Sequence, residues 1–121
     1  MKSVRFDYLY RDGSNYKNWG SVVFSNPGRL TEESISNALR ECFLQECLFI
    51  ADQVRIPECF LFADKLATSD DHCFHEFEVI DTTTEPPDDL QSRSISQFVW
   101  EVKRAFARGW TAFDVHENKA S

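Results

Sequence analysis

Asp70-Asp71-His72-Cys73-Phe74-His75-Glu76 gathers two of the chain's three histidines with three carboxylates and a thiol. Imidazole, carboxylate and thiolate are the side chains that bind metals or move protons near neutral pH. Two kinds of chemistry fit these residues. His72 and Glu76 with Asp70 or Asp71 supply the mixed nitrogen and oxygen set that suits Zn, Mn or Fe(II), with His75 close by. Cys73 and His75, two apart, are same-face neighbours on a strand and would make a nucleophile and base pair. Further ligands for a metal must come from elsewhere, and His116 is the remaining histidine.

The spacing also argues for a plainer role. Side chains on a strand alternate faces. His72, Phe74, Glu76, Glu78 and Ile80 then share one face, and Cys73, His75, Phe77, Val79 and Asp81 the other. The Phe77 and Val79 side reads as the core face, which tucks Cys73 and His75 inward and divides the two histidines. His75 then becomes a hydrogen-bonded core residue, and His72 lies on a solvated, acidic face. A helix would converge His72, His75 and Glu76, but the β-branched and aromatic flanks favour a strand.

A second stretch draws attention for recognition rather than catalysis. Tyr16-Lys17-Asn18-Trp19-Gly20 sets two large aromatics and a cation beside a turn. Exposed loop aromatics are typical anchors for protein partners. The competing expectation is that Tyr16 and Trp19 fold back to cover a sheet edge. No phosphate-loop, GxGxxG, HExxH or GxSxG motif is present.

The elements that must position these residues can be read in turn. Val4, Phe6, Tyr8 and Tyr10 alternate with Ser3, Arg5, Asp7 and Leu9, the period of a one-sided strand. Arg11 to Asn15 is turn chemistry, and Gly20 to Ser25 a second strand, giving an antiparallel hairpin. Thr31 is a helix N-cap with Glu32 and Glu33 in the first turn, and Ile35, Ala38, Leu39, Cys42, Phe43 and Cys47 form an apolar stripe. Leu48 to Val54 reads as a third strand, stopped by Pro57, and His72 to Asp81 as the last strand, with the short apolar run from Cys59 as its hairpin partner. Pro86-Pro87 keeps Thr82 to Gln91 irregular. Ser94 and Gln97 form a capping box ahead of Ile95, Phe98, Val99, Val102 and Phe106, and Gly109 is a C-cap. Trp100 and Trp110 are expected to cap the core from this last helix, and residues beyond Val115 to form a flexible tail.

The expected fold is therefore α+β: a mostly antiparallel sheet of four to five strands with two amphipathic helices on one face, in the order β-β-α-β-(β)-β-α, as one domain over 1–121. Eleven phenylalanines point to a core of large flat side chains. Cys42, Cys47, Cys59 and Cys73 include no CxxC pair, and most of them read as buried free thiols. No apolar run approaches the ~20 residues of a membrane span, and the charged start does not read as a signal peptide, so a cytoplasmic location is expected. Charge is uneven: residues 1–31 carry a net +3, 32–90 a net −12 and 91–121 a net +2 within a total of −7. Such a chain is a poor match for nucleic acid and a better one for a basic protein surface.

Three runs, Tyr10-Arg11-Asp12-Gly13-Ser14-Asn15-Tyr16-Lys17, Val23-Phe24-Ser25-Asn26-Pro27 and Asp71-His72-Cys73-Phe74-His75-Glu76-Phe77, resemble a group of small uncharacterised bacterial proteins with no established activity. The resemblance implies a stand-alone cytoplasmic bacterial domain and transfers no catalytic residue. The leading expectation is a non-catalytic binding or regulatory protein, of inhibitor or immunity type, needing no cofactor and meeting a protein partner through Tyr16, Lys17 and Trp19. The alternative is a hydrolase-like enzyme using a divalent metal at Asp70, Asp71, His72, His75 and Glu76. A homodimer through an open sheet edge is a third possibility.

Overall fold

The computed structural model describes residues 2–61, 67 and 71–116. Its elements are β1 (Ser3–Arg11), β2 (Lys17–Ser25), α1 (Glu32–Cys42), β3 (Leu48–Phe49), a single 3-10 turn (Ala51–Val54), β4 (His75–Thr83) and α2 (Ile95–Arg108). The strands form one antiparallel sheet in the order β2-β1-β4-β3. This is the α+β class that the alternation and the two helical stripes require.

The core lies between one sheet face and both helices. Val4, Phe6, Tyr8 and Tyr10 of β1 point into it with Val22 and Phe24 of β2. Ile35 and Leu39 of α1 and Ile95, Phe98, Val99 and Val102 of α2 meet them. Phe6 is the hub: its ring lies 5.2 Å from Phe98, 5.3 Å from Phe77 and 5.8 Å from Phe49. Edge-on and offset ring pairs of this kind add to the burial of area. The helix ends form as their residues dictate. Thr31 Oγ1 accepts from Ser34 N, Ser94 and Gln97 complete the capping box, and Gly109 ends α2 with a φ of 94°.

Several expectations are corrected. α1 stops at Cys42 and does not reach Cys47. Phe43 turns extended, and Gln45 and Glu46 take left-handed φ angles of 51° and 65° that send the chain back into β3. The third strand keeps only Leu48 and Phe49, because Ala51 and Val54 bury themselves through the 3-10 turn, closed by left-handed Arg55. The run at Cys59 supplies no strand among its described residues. β4 begins at His75 rather than His72, and a bulge breaks its alternation. Asp7 pairs with Val79 and Tyr8 with Phe77, so Glu78 is the extra residue. Phe77 and Ile80 therefore both point inward, and Val79 faces solvent. Trp100 is also exposed, under the Arg104 guanidinium, whereas Trp110 packs on Phe43 and donates to the Cys42 carbonyl at 2.7 Å.

One buried charge pair holds the irregular segment before α2. Arg93 is 6% exposed and makes a two-pronged contact with Asp89, at 2.8 and 2.9 Å. The same guanidinium donates to the carbonyls of Val54 and Arg55 and to Glu101. Removing one member of a buried pair leaves the other uncompensated, at a cost of about 3–5 kcal/mol. Asp89→Ala should lower the free energy of urea unfolding by that order. A loss below about 1 kcal/mol would show that the clasp does not hold this end of the fold.

Candidate functional site

The histidine segment is built around Tyr10, a residue that spacing alone does not connect with it. The Tyr10 hydroxyl donates to Asp71 Oδ1 at 2.8 Å and accepts from His72 N at 3.0 Å. The rings of His72 and His75 both lie against Tyr10, at 5.0 and 5.6 Å. The two imidazoles are thus brought to one aromatic ring, yet their polar atoms point to different partners.

For His72, Nδ1 accepts from Phe74 N at 3.0 Å, which leaves the proton on Nε2 for the Arg11 carbonyl at 2.7 Å. For His75, Nε2 accepts from Cys59 N at 2.8 Å. Its proton therefore sits on Nδ1, which is buried without a partner of hydrogen-bond geometry among the described residues. The lone pair of each ring is spent on a backbone N–H, the lone pair that a metal or a proton would need. Cys73 does not pair with His75; its sulfur accepts from Phe113 N at 3.4 Å. Glu76 lies on the opposite sheet face, held by Arg11 at 2.9 and 3.3 Å. Asp70 falls outside the described residues. Among the described residues no three His, Cys, Asp or Glu side chains converge as metal ligands.

His75 is enclosed by Tyr8, Tyr10, Phe49 and Phe60, with ring separations of 4.9 to 6.2 Å. Burial in this box pushes its pKa down to about 4, with help from neighbouring His72, against a small opposing pull from the Cys73 carbonyl. The same enclosure raises the Tyr8 hydroxyl well above its ordinary range; that hydroxyl donates to the Pro57 carbonyl at 2.5 Å. Gly20 completes the packing, since a Cβ there would stand 2.6 Å from Cys59 Sγ and 2.9 Å from Tyr8 Cζ.

The second stretch behaves differently. Tyr16 is 70% exposed and Trp19 is 55% exposed, so neither folds back into the protein. The turn that carries them is fixed. Asp12 Oδ1 accepts from Ser14 N and Tyr16 N, both at 2.9 Å, while Asp12 N donates to the Tyr16 carbonyl and Asn15 N to the Asp12 carbonyl. Asn15 takes the left-handed φ of 70° that this turn needs, and Arg11 reaches over to its side-chain oxygen. Trp19 then begins the uncovered face of the sheet. There a shallow depression of about 500 Å³ is lined by Arg5, Asp7, Trp19, Ser21, Glu78 and Glu85. Arg5 faces Asp7 at 2.8 Å and Asp81 and Glu85 at 3.4 Å each. One cation among three carboxylates, with exposed Glu78 beside them, leaves this face acidic.

No protein-family model matches this chain, and neither a curated protein nor a solved structure matches it. No helix among the described residues is long and apolar enough to cross a membrane.

The His75 environment sets a pH dependence. An unfolded histidine titrates near 6.5, the folded one near 4. As pH falls between these values, the unfolded chain takes up a proton that the folded chain refuses. Stability present above about pH 6.5 is then lost progressively toward pH 4, by about 3 kcal/mol. Two paired carboxylates act lower. Burial alone would raise Asp89, but Arg93 outweighs it and holds it below the usual range, and Arg55 does the same for Glu101. Denaturation curves from pH 7.5 to 4.5 should therefore slope steeply for the native chain and much less for His75→Gln. Equal slopes would place the acid sensitivity elsewhere.

Proposed function

We propose that this is a small, non-catalytic protein-binding domain of the cytosol, which engages a basic partner through the Tyr16-Lys17-Trp19 hairpin and the adjoining uncovered sheet face. The observation that carries this reading is the exposure of both aromatics, Tyr16 on a turn already locked by Asp12 and Trp19 at the start of β2. Large rings with few rotatable bonds, held in place before contact, lose little entropy on binding. The acidic rim formed by Glu78, Asp81 and Glu85 supports a partner of opposite charge. The histidine segment supports the same division of labour, since its hydrogen bonds are spent on holding the chain beneath the hairpin.

The double variant Tyr16→Ala/Trp19→Ala tests it. Both side chains lie outside the core, so the unfolding midpoint should change by less than the equivalent of about 0.5 kcal/mol. Capture of a partner from lysate by the immobilised protein should disappear. Capture that persists, or unfolding of the variant, contradicts the assignment.

A further inference from the structure

We propose that the free edge of β2 from Lys17 to Ser21 accepts an extended segment of a partner protein as an added strand, and that this segment alternates basic and apolar side chains. The inference rests on the reading of this surface as a protein-binding one and adds the mode of recognition.

The edge is open over a defined length. Val23 directs both backbone groups outward, its N–H to Asp88 Oδ1 at 2.7 Å and its carbonyl to Asp88 N at 3.0 Å. Ser25 pairs in parallel with Ser94. These contacts close the far half of β2. Alternation along the strand sends the N–H and C=O of Trp19 and Ser21 in the same outward direction as those of Val23. Among the described residues nothing hydrogen-bonds those groups. Unpaired edge groups are the template on which strand addition works, with main-chain bonds giving affinity and alternate side-chain positions giving specificity.

The two sides of the edge differ in chemistry, and that difference specifies the segment. On the uncovered face, side chains of an added strand would stand beside Trp19 and the acidic depression of Asp7, Glu78 and Glu85. Lysine or arginine fits there, against the carboxylates and against the indole. On the helix side, a smaller hollow of about 170 Å³ lies beside Ser21 and is lined by Val22, Pro57 and Leu90 with Arg55 and Asp88 at its rim. Leu90 is 81% exposed. An apolar side chain fits there. A second copy of this chain fits less well, because pairing β2 with itself would bring two acidic faces side by side.

The probe is a capped heptapeptide of alternating lysine and valine, with the glutamate and valine counterpart as control, titrated into the full-length ¹⁵N-labelled chain. Binding of the lysine peptide, with slowed exchange of the Trp19 and Ser21 amides and no effect of the glutamate peptide, is expected. Ser21→Pro removes one outward N–H without touching the β1 ladder, and proline is tolerated at such edge positions. It should weaken the lysine peptide by about tenfold, and leave the β1–β2 amides protected. Glu78→Lys, well away from the edge itself, should weaken it as well. Absence of peptide binding overturns the proposal. So does binding that shifts only Tyr16 and Lys17 and survives Ser21→Pro. A doubled mass by light scattering, with those amides protected in the free protein, assigns the edge to a second copy and also overturns it. Lysate capture that needs Tyr16 and Trp19 but ignores Ser21→Pro would leave the hairpin reading standing without strand addition.

Discussion

Both amphipathic helices bury their stripes on the same face of a four-stranded sheet, and everything else in this protein follows from that one-sidedness. Two stripes and one apolar sheet face satisfy each other completely, through Ile35, Leu39, Phe98 and Val102 against Phe6, Tyr8 and Phe24. On the opposite face Leu9 and Val23 are buried as well, while Trp19, Glu78 and Val79 stay exposed. Beside them that face carries charge: Arg5 among Asp7, Asp81 and Glu85, and Arg11 with Glu76. A solvated face of this kind keeps a sheet from stacking on another and still leaves its side chains available to a partner.

The sheet has two edges, and they are managed differently. β3 is only two residues long, a length that offers little for pairing. β2 is nine residues long and is closed over part of its length by the segment that runs from Asp88 to Ser94. That segment, which follows Pro86-Pro87, has no regular structure of its own and needs an anchor. The Arg93 guanidinium supplies it by binding Asp89, the carbonyls of Val54 and Arg55, and the face of Phe98. The anchor thus decides where the edge is shut and, by default, where it stays open.

Much of this was legible in the sequence because it is local. Caps at Thr31 and Ser94, the stop at Gly109 and the alternation of β1 depend on residues a few positions apart. The inward tilt of His75 followed from the same alternation and is observed, whereas Cys73 is buried ahead of β4, against Phe113. Val79 was misread because a bulge at Glu78 inserts one residue, and a period of two cannot survive an insertion. Leu48 to Val54 is apolar enough for a strand, yet a left-handed Arg55 and burial of Val54 favour a tight turn. The partners of the histidine segment, Tyr10, Arg11 and Cys59, lie sixteen to sixty-two residues away from it and have no spacing signal. The buried role of Asp89 and Arg93 was hidden in a stretch whose prolines suggested only irregularity. Conversely, the exposure of Tyr16 and Trp19 was an open alternative in the sequence, and the Asp12 hydrogen bonds decide it.

Amide hydrogen exchange of the free protein, residue by residue, tests the central claim most directly. A rigid hairpin on an otherwise open edge predicts a specific alternation along β2. Tyr16, bonded to Asp12, and Val23, bonded to Asp88, should be protected, while Trp19 and Ser21 between them exchange quickly. Fast exchange at Tyr16 would mean the turn is not held before binding. Slow exchange at Trp19 and Ser21 in dilute protein would mean the edge is already covered, and the account of this surface as a free docking site would be wrong.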